Sequence, residues 1–259
     1  MEVVFLGTGT SEGVPIIAQP EDFALDLENP KNWRTRTSIH VVMDGCAIQV
    51  DAAPEFRLQC IHNDIRRVDH FILTHEHADH IQGMDDLRRF CRLRQGNALP
   101  VYSTRSGLER VQAIYPYAIK KKAKSNYPAF SLVLMPKKLE IDGSIIRSTL
   151  LPHGEFHVLG LVFEEKSTGK RLAYFTDCHE VTEEAQALAR DADVLVIDAL
   201  RHQPHRSHLT INQAVGIAKS INAQETYFVH MTCDVEHDIV NKTLPEGVQL
   251  GYDGLRLVL

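Results

Sequence analysis

The chain has 259 residues, of which 44% are hydrophobic and 24% are charged, a composition that indicates a globular rather than a disordered protein. A chain of this length can bury a sizeable core, and we expect one domain over residues 1–259. The net charge of −6 lacks the basic field of a general nucleic-acid binder, which argues against a partner of that kind.

The lack of a recognisable secretory signal and the pattern of the cysteines together predict a cytoplasmic protein. The first residues, "MEVVFLGTG", enter a strand at once, without the basic segment and apolar core of a secretory signal. No apolar run has the length of a membrane span, so no membrane partner is expected. The five cysteines are scattered and include no C-x-x-C pair, which is typical of reduced thiols.

The first half of the chain predicts strands joined by turns and helices. The segment "EVVFLGTGTSEGVP" is a strand that enters a glycine-rich turn, and "SIHVVMDGCAIQV" is a hairpin about Asp44-Gly45 whose second strand ends at Asp51. "HFIL" is a short buried strand, "MDDLRRFCRLR" is helical and "LPVYST" is a strand. "SGLERVQAIYPYAIKKK" is a helix that breaks near Pro116.

The second half continues in the same style. "SLVLMPKKLEIDGSIIRSTLLPHG" is a run of strands that ends at His153, and "LGLVFEEKSTGKRLAYFTDC" is a hairpin that ends at Asp177. A helix capped by Thr182 leads into the buried strand "VLVID". A further helix and strand end at His230.

Potential metal ligands follow the predicted strands. They are Asp51, the cluster at 75–80, His153, Asp177 and His230. A rigid sheet fixes the loops that leave it, so ligand residues collect where strands end. We therefore expect these side chains to converge on one metal-binding site.

The segment "THEHADH" at residues 74–80 is the richest in metal ligands. Extended backbone alternates sides at each residue, so His75 and His77 face the same way and can bind one ion. Asp79 and His80 follow where the chain turns, and they can reach a second ion. Nitrogen and oxygen donors without thiolate suit zinc, manganese or iron in a catalytic site.

Other known motifs do not fit the sequence. H-E-x-x-H would need a histidine at position 79, which is an aspartate, and the P-C-x-x-C of nucleobase deaminases does not occur. The turn "GTGTSEG" has the spacing G-x-G-x-x-x-G, and "VPIIAQP" after it cannot open a helix. We therefore expect no dinucleotide cofactor.

"THEHADH" matches the T-H-x-H-x-D-H signature of the metallo-β-lactamase superfamily, and the later elements of that pattern follow in order along the whole chain. The resemblance implies an α/β fold, the αβ/βα sandwich of two mixed β-sheets flanked by helices, with two metal ions in a groove. The implied ligands are His75, His77 and His153 for one metal, Asp79, His80 and His230 for the other, and Asp177 as the bridge. Asp51 is expected to orient a ligand rather than to bind metal.

Three further segments resemble the phosphodiesterase branch of this superfamily. They are "FLGTGTSEGVP", "RSHLT" around His208 and "LPEGVQLGYDG". The resemblance is strongest to the 5-phosphoribosyl 1,2-cyclic phosphate phosphodiesterase of phosphonate catabolism, and RNase Z is more distant. It implies that His208 faces the scissile phosphate and is catalytic, together with Asp79. The alternative for His208 is a polar residue near a helix N-terminus beside Thr210.

The sequence also departs from that branch. The phosphonate enzyme carries a structural zinc held by a cysteine-rich loop and a later histidine. Here the loop "IIAQPEDFALDLENPKNW" has no cysteine, and the matching histidine position is Cys233. We expect that zinc to be absent, which leaves the exact substrate open. The long arm of RNase Z is not evident either.

The resulting hypothesis is a hydrolase with two divalent ions, zinc, manganese or iron, in which a metal-bound hydroxide attacks a small, cyclic phosphodiester. The alternatives are a thioesterase or lactonase resembling glyoxalase II, an RNase Z-like nuclease and a metal-bearing binding protein. Relatives are often dimers, so a homodimer is possible.

Several basic residues and histidines lie outside the candidate metal site. Arg34 and Arg36 are loop arginines that either contact a phosphate or do nothing, and the basic cluster 120–124 is a solvated helix end or a phosphate-steering patch. His202 and His205 are expected to be surface residues.

Overall fold

The computed structural model describes residues 1–20, 25–122 and 127–259, in which the strands form two sheets. The first sheet contains β1 (Glu2–Gly7), β2 (Ser38–Met43), β3 (Cys46–Val50), β4 (His70–Ile72), β5 (Leu99–Ser103), β6 (Phe130–Leu134) and β14 (Arg256–Val258). The second contains β7 (Lys138–Ile141), β8 (Ser144–His153), β9 (Phe156–Glu164), β10 (Arg171–Phe175), β11 (Val194–Asp198), β12 (Glu225–Val229) and β13 (Val248–Leu250).

Both sheets are mixed. The first has the strand order β14-β1-β2-β3-β4-β5-β6, antiparallel from β14 to β3 and parallel from β3 to β6. The second has the order β13-β12-β11-β10-β9-β8-β7, parallel from β13 to β10 and antiparallel from β10 to β7. The parallel strands bring their carboxyl ends to one edge of each sheet.

The helices cover the outer faces of the sheets. They are α1 (Phe56–His62), α2 (Ala78–Ile81), α3 (Arg88–Leu93), α4 (Arg105–Ile114), α5 (Glu183–Ala189), α6 (Ile211–Ile221) and α7 (His237–Asn241). Short 3₁₀ helices cover Pro30–Asn32, Gln82–Leu87 and Pro116–Ala118. The predicted sandwich of two mixed sheets flanked by helices is therefore confirmed.

Three apolar layers hold these elements together. Buried side chains of both sheets, among them Phe5, Ile48, Phe163 and Tyr174, form the layer between the sheets. One outer layer lies between α5 and α6 and the second sheet, and the other lies between α1, α3 and α4 and the first sheet. Each large apolar side chain removed from water contributes about 1.5–3 kcal/mol, so the site rests on a rigid frame.

The local predictions agree with these bounds. The Asp44-Gly45 turn has φ values of 45° and 78°, which a tight hairpin between β2 and β3 requires. α4 ends at Ile114, and Pro116 opens a 3₁₀ turn after it, as the sequence indicated. Thr182 caps α5 through its hydroxyl.

The described part of the basic cluster, residues 120–122, does not end a helix. The preceding 3₁₀ helix ends at Ala118, and the described lysines, 120–122, are exposed beyond it. Residues 123 and 124 of the cluster lie outside the described residues. Among the helices of the described ranges, none combines the length and the apolar character that crossing a bilayer requires.

Candidate metal centre

The predicted ligands meet at one edge of the sandwich. Asp51 directly follows β3, the segment 75–80 follows β4, His153 ends β8, Asp177 follows β10 and His230 follows β12. These strands come from both sheets, so the side chains converge in the groove between the sheet edges. The structure therefore brings together all seven residues that the sequence proposed as ligands.

Three histidines form the first group. His75, His77 and His153 each offer one ring nitrogen, and these nitrogens lie within 4.8 Å of one another. His153 Nε2 is 3.3 Å from His77 Nδ1. His75 and His153 are buried, whereas His77 is partly exposed and its ring meets the edge of Phe156. This group could hold one ion at the open side of the groove.

The second group consists of Asp79, His80, Asp177 and His230, all of them buried. Asp177 Oδ2 lies 3.1 Å from His80 Nε2 and 3.0 Å from His230 Nε2. The same oxygen is 3.9 Å from His75 Nε2 in the first group. Asp177 is therefore the side chain that connects the two groups.

Outer hydrogen bonds fix the orientation of the rings. The carboxylate of Asp51 accepts from His80 Nδ1 at 2.8 Å and from the backbone and hydroxyl of Thr74. His153 Nδ1 donates to the carbonyl of Ser207 at 2.8 Å. Since both acceptors require a proton on Nδ1, each ring keeps its Nε2 lone pair for the groove, as metal-binding histidines do.

Buried polar atoms without hydrogen-bond partners show whether these side chains suit a metal ion. His75 Nε2 and both ring nitrogens of His230 are buried without a hydrogen-bond partner. An unsatisfied buried polar group costs about 1–3 kcal/mol. Histidine nitrogens and carboxylate oxygens that converge on one buried space are the donor set of a divalent-metal site. The residues present therefore fit such an ion.

The charges of the site also suit a divalent ion. Although burial disfavours its charged form, the carboxylates of Asp79 and Asp177 hold the pKa of His80 well above its ordinary value. Against burial, Asp177 also raises the pKa of His230 to about 10. Burial and the neighbouring His80 lower the pKa of His75 well below its ordinary value. The carboxylates thus attract positive charge, which divalent ions supply when bound.

His208 lies beside both groups. It precedes Thr210, the residue that caps α6 in a capping box with Gln213. Its ring stacks on His230 at 4.6 Å and 13° and meets the edge of His153 at 4.8 Å. The predicted catalytic histidine is thus at the centre, and the helix cap is a separate residue.

Asp198 is a site residue that the sequence analysis missed. It ends β11, and its Oδ2 accepts from His208 Nδ1 at 2.7 Å and from the backbone N–H of Cys178 at 2.9 Å. Its other oxygen, Oδ1, is buried without a partner. The sequence did contain a signal for Asp198. The apolar run "VLVID" ends in this aspartate, just as other strand-like runs lead to Asp51 and Asp177.

Arg34, which was expected either to contact a phosphate or to do nothing, is instead buried and hydrogen-bonded to the backbone. Its side chain is only 2% exposed. Its guanidinium donates to the carbonyls of Thr232 and Val235 at 3.1 and 2.7 Å and to Asn32 Oδ1 at 3.2 Å. These contacts are structural and leave no face for a phosphate.

Arg36 remains partly exposed. It pairs with Glu55 and donates from Nε to the carbonyl of Ser11 at 3.0 Å. His202 and His205 are exposed, as predicted, although the ring of His205 lies 5.1 Å from that of His208.

The region of the relatives' structural zinc is apolar in this chain. Cys233, which the resemblance aligns with a zinc-binding histidine, packs with Val14 and Leu25. Residues 21–24 of the adjoining loop lie outside the described residues.

Comparison with known proteins places the chain in a family. Residues 47–231 match the model of the beta-lactamase superfamily domain. The chain is 30% identical, over its full length, to an octanoyltransferase of Porphyromonas gingivalis, of which it spans about half, 52%.

Solved structures of this fold match the chain over nearly their own full length. A diphosphatase from the PhnP family is 32% identical with a TM-score of 0.89, covering 100% of this chain and 97% of that one. Zinc-bound PqqB of Methylobacterium extorquens is 21% identical with a TM-score of 0.80, covering 100% of both chains. The short form of human tRNase Z is 16% identical with a TM-score of 0.73, covering 100% and 99%. The chain therefore belongs to the metallo-β-lactamase superfamily, with a PhnP-family diphosphatase among its relatives.

Proposed function

We propose that the protein is a dinuclear-metal phosphodiesterase that hydrolyses a small, cyclic phosphodiester. The observation that carries the proposal is the pairing of two adjoining ligand groups, connected by Asp177, with His208 beside them. A relative of 32% identity is named a diphosphatase, which supports chemistry at phosphorus.

The proposed ligands follow the two groups. His75, His77 and His153 bind one ion, Asp79, His80 and His230 bind the other, and Asp177 bridges them. Zinc, manganese or iron suits these donors. When bound, the ions supply activation of water near neutral pH and neutralisation of phosphate charge.

His208 is the proposed proton donor to the leaving oxygen. Asp198 accepts from Nδ1, which fixes the ring and leaves Nε2 for the substrate. A protonated Nε2 can stabilise charge on the phosphate or protonate the leaving alkoxide, and acid–base assistance of this kind contributes about 10²–10⁴-fold. His208 acts on the substrate directly, whereas Asp198 positions it.

Asp79 is the second proposed catalytic residue. Its Oδ2 lies 3.3 Å from His80 Nε2 and 3.5 Å from His230 Nε2. Although burial opposes ionisation, His80 lowers the pKa of Asp79 below its ordinary value, so the carboxylate stays ionised. An ionised carboxylate only accepts hydrogen bonds, and Asp79 can therefore orient an attacking water as well as bind metal.

Hydrolysis of bis(p-nitrophenyl) phosphate tests the proposal, with protein reconstituted in zinc or manganese. A phosphomonoester, a diphosphate ester and an acyl thioester are measured in parallel. Cleavage of the diester without the thioester supports a phosphodiesterase, and ribose cyclic phosphates are then compared with the linear diester. Thioester cleavage without diester cleavage overturns the proposal.

The second candidate is an acyl hydrolase, a thioesterase or lactonase resembling glyoxalase II. The octanoyltransferase relative, named for an acyl reaction, favours it. An acyl carbonyl could occupy the place of the phosphate beside the same ligands. An RNase Z-like nuclease has weaker support, because tRNase Z resembles the chain at 16% identity, which speaks for the fold alone.

We propose one domain over residues 1–259, since the layer between the sheets contains side chains of both sheets.

A cytoplasmic location is supported by the five cysteines, which are all buried and free. A homodimer is the proposed assembly, and light scattering of the reconstituted protein tests it.

A further inference from the structure

A second group of metal-binding side chains lies far from the catalytic groove. Cys46 is the first residue of β3 and His70 the first of β4, whereas the groove lies beyond the carboxyl ends of these strands. Asp51 is five positions after Cys46 in the sequence, which corresponds to roughly 16 Å of extended chain. Whatever the group binds therefore lies at the opposite end of the sheet from the catalytic residues.

The strand register places the thiol and the imidazole on one face. β3 and β4 are parallel, and His70 pairs with Ile48. Because alternate residues of a strand share a face, Cys46 lies on the same side as Ile48 and therefore as His70. Ile48 belongs to the layer between the sheets, so both side chains face the second sheet.

The second sheet supplies a carboxylate to this group. Asp142 and Gly143, with φ values of 45° and 94°, form the turn between β7 and β8. This turn packs against the hairpin of β2 and β3, where Ser144 Oγ donates to Asp44 Oδ2 at 2.7 Å. As a result, one ligand atom each of Cys46, His70 and Asp142 lies within 4.8 Å of the others.

An unsatisfied atom indicates that the group lacks a partner. His70 Nδ1 is buried without a hydrogen bond, and the side chain of Cys46 is fully buried. Burial, and after it the negative charges of Asp69 and Asp142, raise the pKa of the Cys46 thiol to about 12. Ligands around a tetrahedral zinc ion lie about 3.5 Å apart, a spacing that small rotations of these three side chains would reach.

We propose that Cys46, His70 and Asp142 bind one zinc-class divalent ion that fastens the two sheets together. Sulfur, nitrogen and oxygen donors select zinc or cobalt over magnesium and calcium. Asp69 is already engaged by the backbone N–H of Ala47 at 3.0 Å, so water completes the coordination. On binding, the thiol proton leaves to solvent and Cys46 becomes a thiolate ligand.

The role of this ion is structural. Two of its ligands belong to the first sheet and the third to the second sheet, so a bound ion opposes their separation. An ion that binds only the folded chain stabilises it by mass action, so zinc should raise the melting temperature. The proposal does not depend on the reaction of the catalytic groove.

Cobalt(II) reconstitution of the full chain tests this proposal. A cysteine-bound cobalt gives thiolate-to-metal charge-transfer absorption in the near ultraviolet, which the histidine and aspartate donors of the groove cannot produce. We expect this absorption in the natural protein and in Asp177→Ala, whose groove is impaired. Cys46→Ser should lose it together with one bound ion, whereas Cys60→Ser, at another buried cysteine outside the group, should keep both.

A second variant covers the case in which Cys46→Ser fails to fold. Asp142 is exposed in a turn of positive φ, which asparagine tolerates, so Asp142→Asn should fold. We expect it to weaken cobalt binding at this site by at least roughly tenfold. It should also reduce the rise in melting temperature that zinc produces. Absence of charge-transfer absorption from the natural protein, or its persistence in Cys46→Ser, would overturn the proposal.

Discussion

His208 donates from Nδ1 to Oδ2 of Asp198 at 2.7 Å, and this bond orients a histidine ring that stacks on His230 and to which no metal is assigned. We predict that His208→Ala keeps its metal and fold but loses about 10²–10⁴-fold in kcat. Turnover of a phosphodiester, metal analysis and circular dichroism check this. His205→Ala, at an exposed ring 5.1 Å from His208, is the matched control and should retain activity. Normal turnover of His208→Ala would remove the residue from the mechanism.

Asp177 connects the two ligand groups, and its replacement should affect both. We predict that Asp177→Ala loses bound metal together with activity, because His80 and His230 then lack the carboxylate 3.0–3.1 Å away. Metal content after dialysis measures the effect. Asp234→Ala, at an exposed aspartate, should retain the natural content. Full metal retention in Asp177→Ala would contradict the bridging role.

Asp51 acts on the metal site through His80. Asp51→Asn removes the charge that holds Nδ1, while asparagine tolerates the φ of 60° at this position. We predict metal affinity about 10–100-fold lower, as for other outer partners of metal-binding histidines. Competition with a chelator measures it. Asp64→Asn, an exposed position with φ of 53°, is the control, and equal affinities in the two variants would contradict the prediction.

The fold and the candidate ligands were predictable because their signals are local. Each ligand stands at the end of a strand or within a few residues after it, and "THEHADH" contains four of the seven. Asp198 also ends a strand, but it was missed because nothing near it in the sequence identifies its hydrogen-bond partner. His208 follows ten residues later, and only the folded loop brings the two together.

Long-range contacts set the remaining limits of the sequence analysis. Arg34 donates to the carbonyls of Thr232 and Val235, which are about 200 residues away in the chain. The burial of Arg34 could therefore not be inferred from the sequence. The group of Cys46, His70 and Asp142 depends in the same way on two hairpins that face each other across the sheets. Such positions require the topology before their chemistry can be recognised.

Arg34 should be a determinant of stability rather than of substrate binding. Arg34→Met leaves the carbonyls of Thr232 and Val235 without a donor, and we predict a loss of about 3 kcal/mol in the free energy of unfolding. Urea unfolding measures it. Arg66→Met, at an exposed ion pair with Asp64, should change stability by less than about 1 kcal/mol. A raised KM at unchanged stability would instead assign Arg34 to the substrate.

His40 should make the stability of the protein depend on pH. It is 4% exposed in β2, and burial lowers its pKa to about 4. The hydrogen bond that His40 Nδ1 donates to Gln49 Oε1 opposes this shift but does not cancel it. The unfolded chain therefore binds a proton at higher pH than the folded chain does. The contribution of neutral His40 is complete above the unfolded pKa of about 6.5 and is lost as the pH falls towards 4.

The linkage predicts that His40 costs about 2 kcal/mol of stability between pH 8 and pH 5. His40→Phe cannot gain a proton, so its free energy of unfolding should fall less than that of the natural protein over this range. Urea unfolding at pH 8 and pH 5 measures the fall in the free energy of unfolding for each protein. Both proteins contain the metal-site histidines, so the titration of those residues cancels when the two falls are compared. His62→Gln, at the exposed end of α1, should keep the natural pH dependence. If His40→Phe shows the same loss as the natural protein, His40 does not remain neutral in the folded chain.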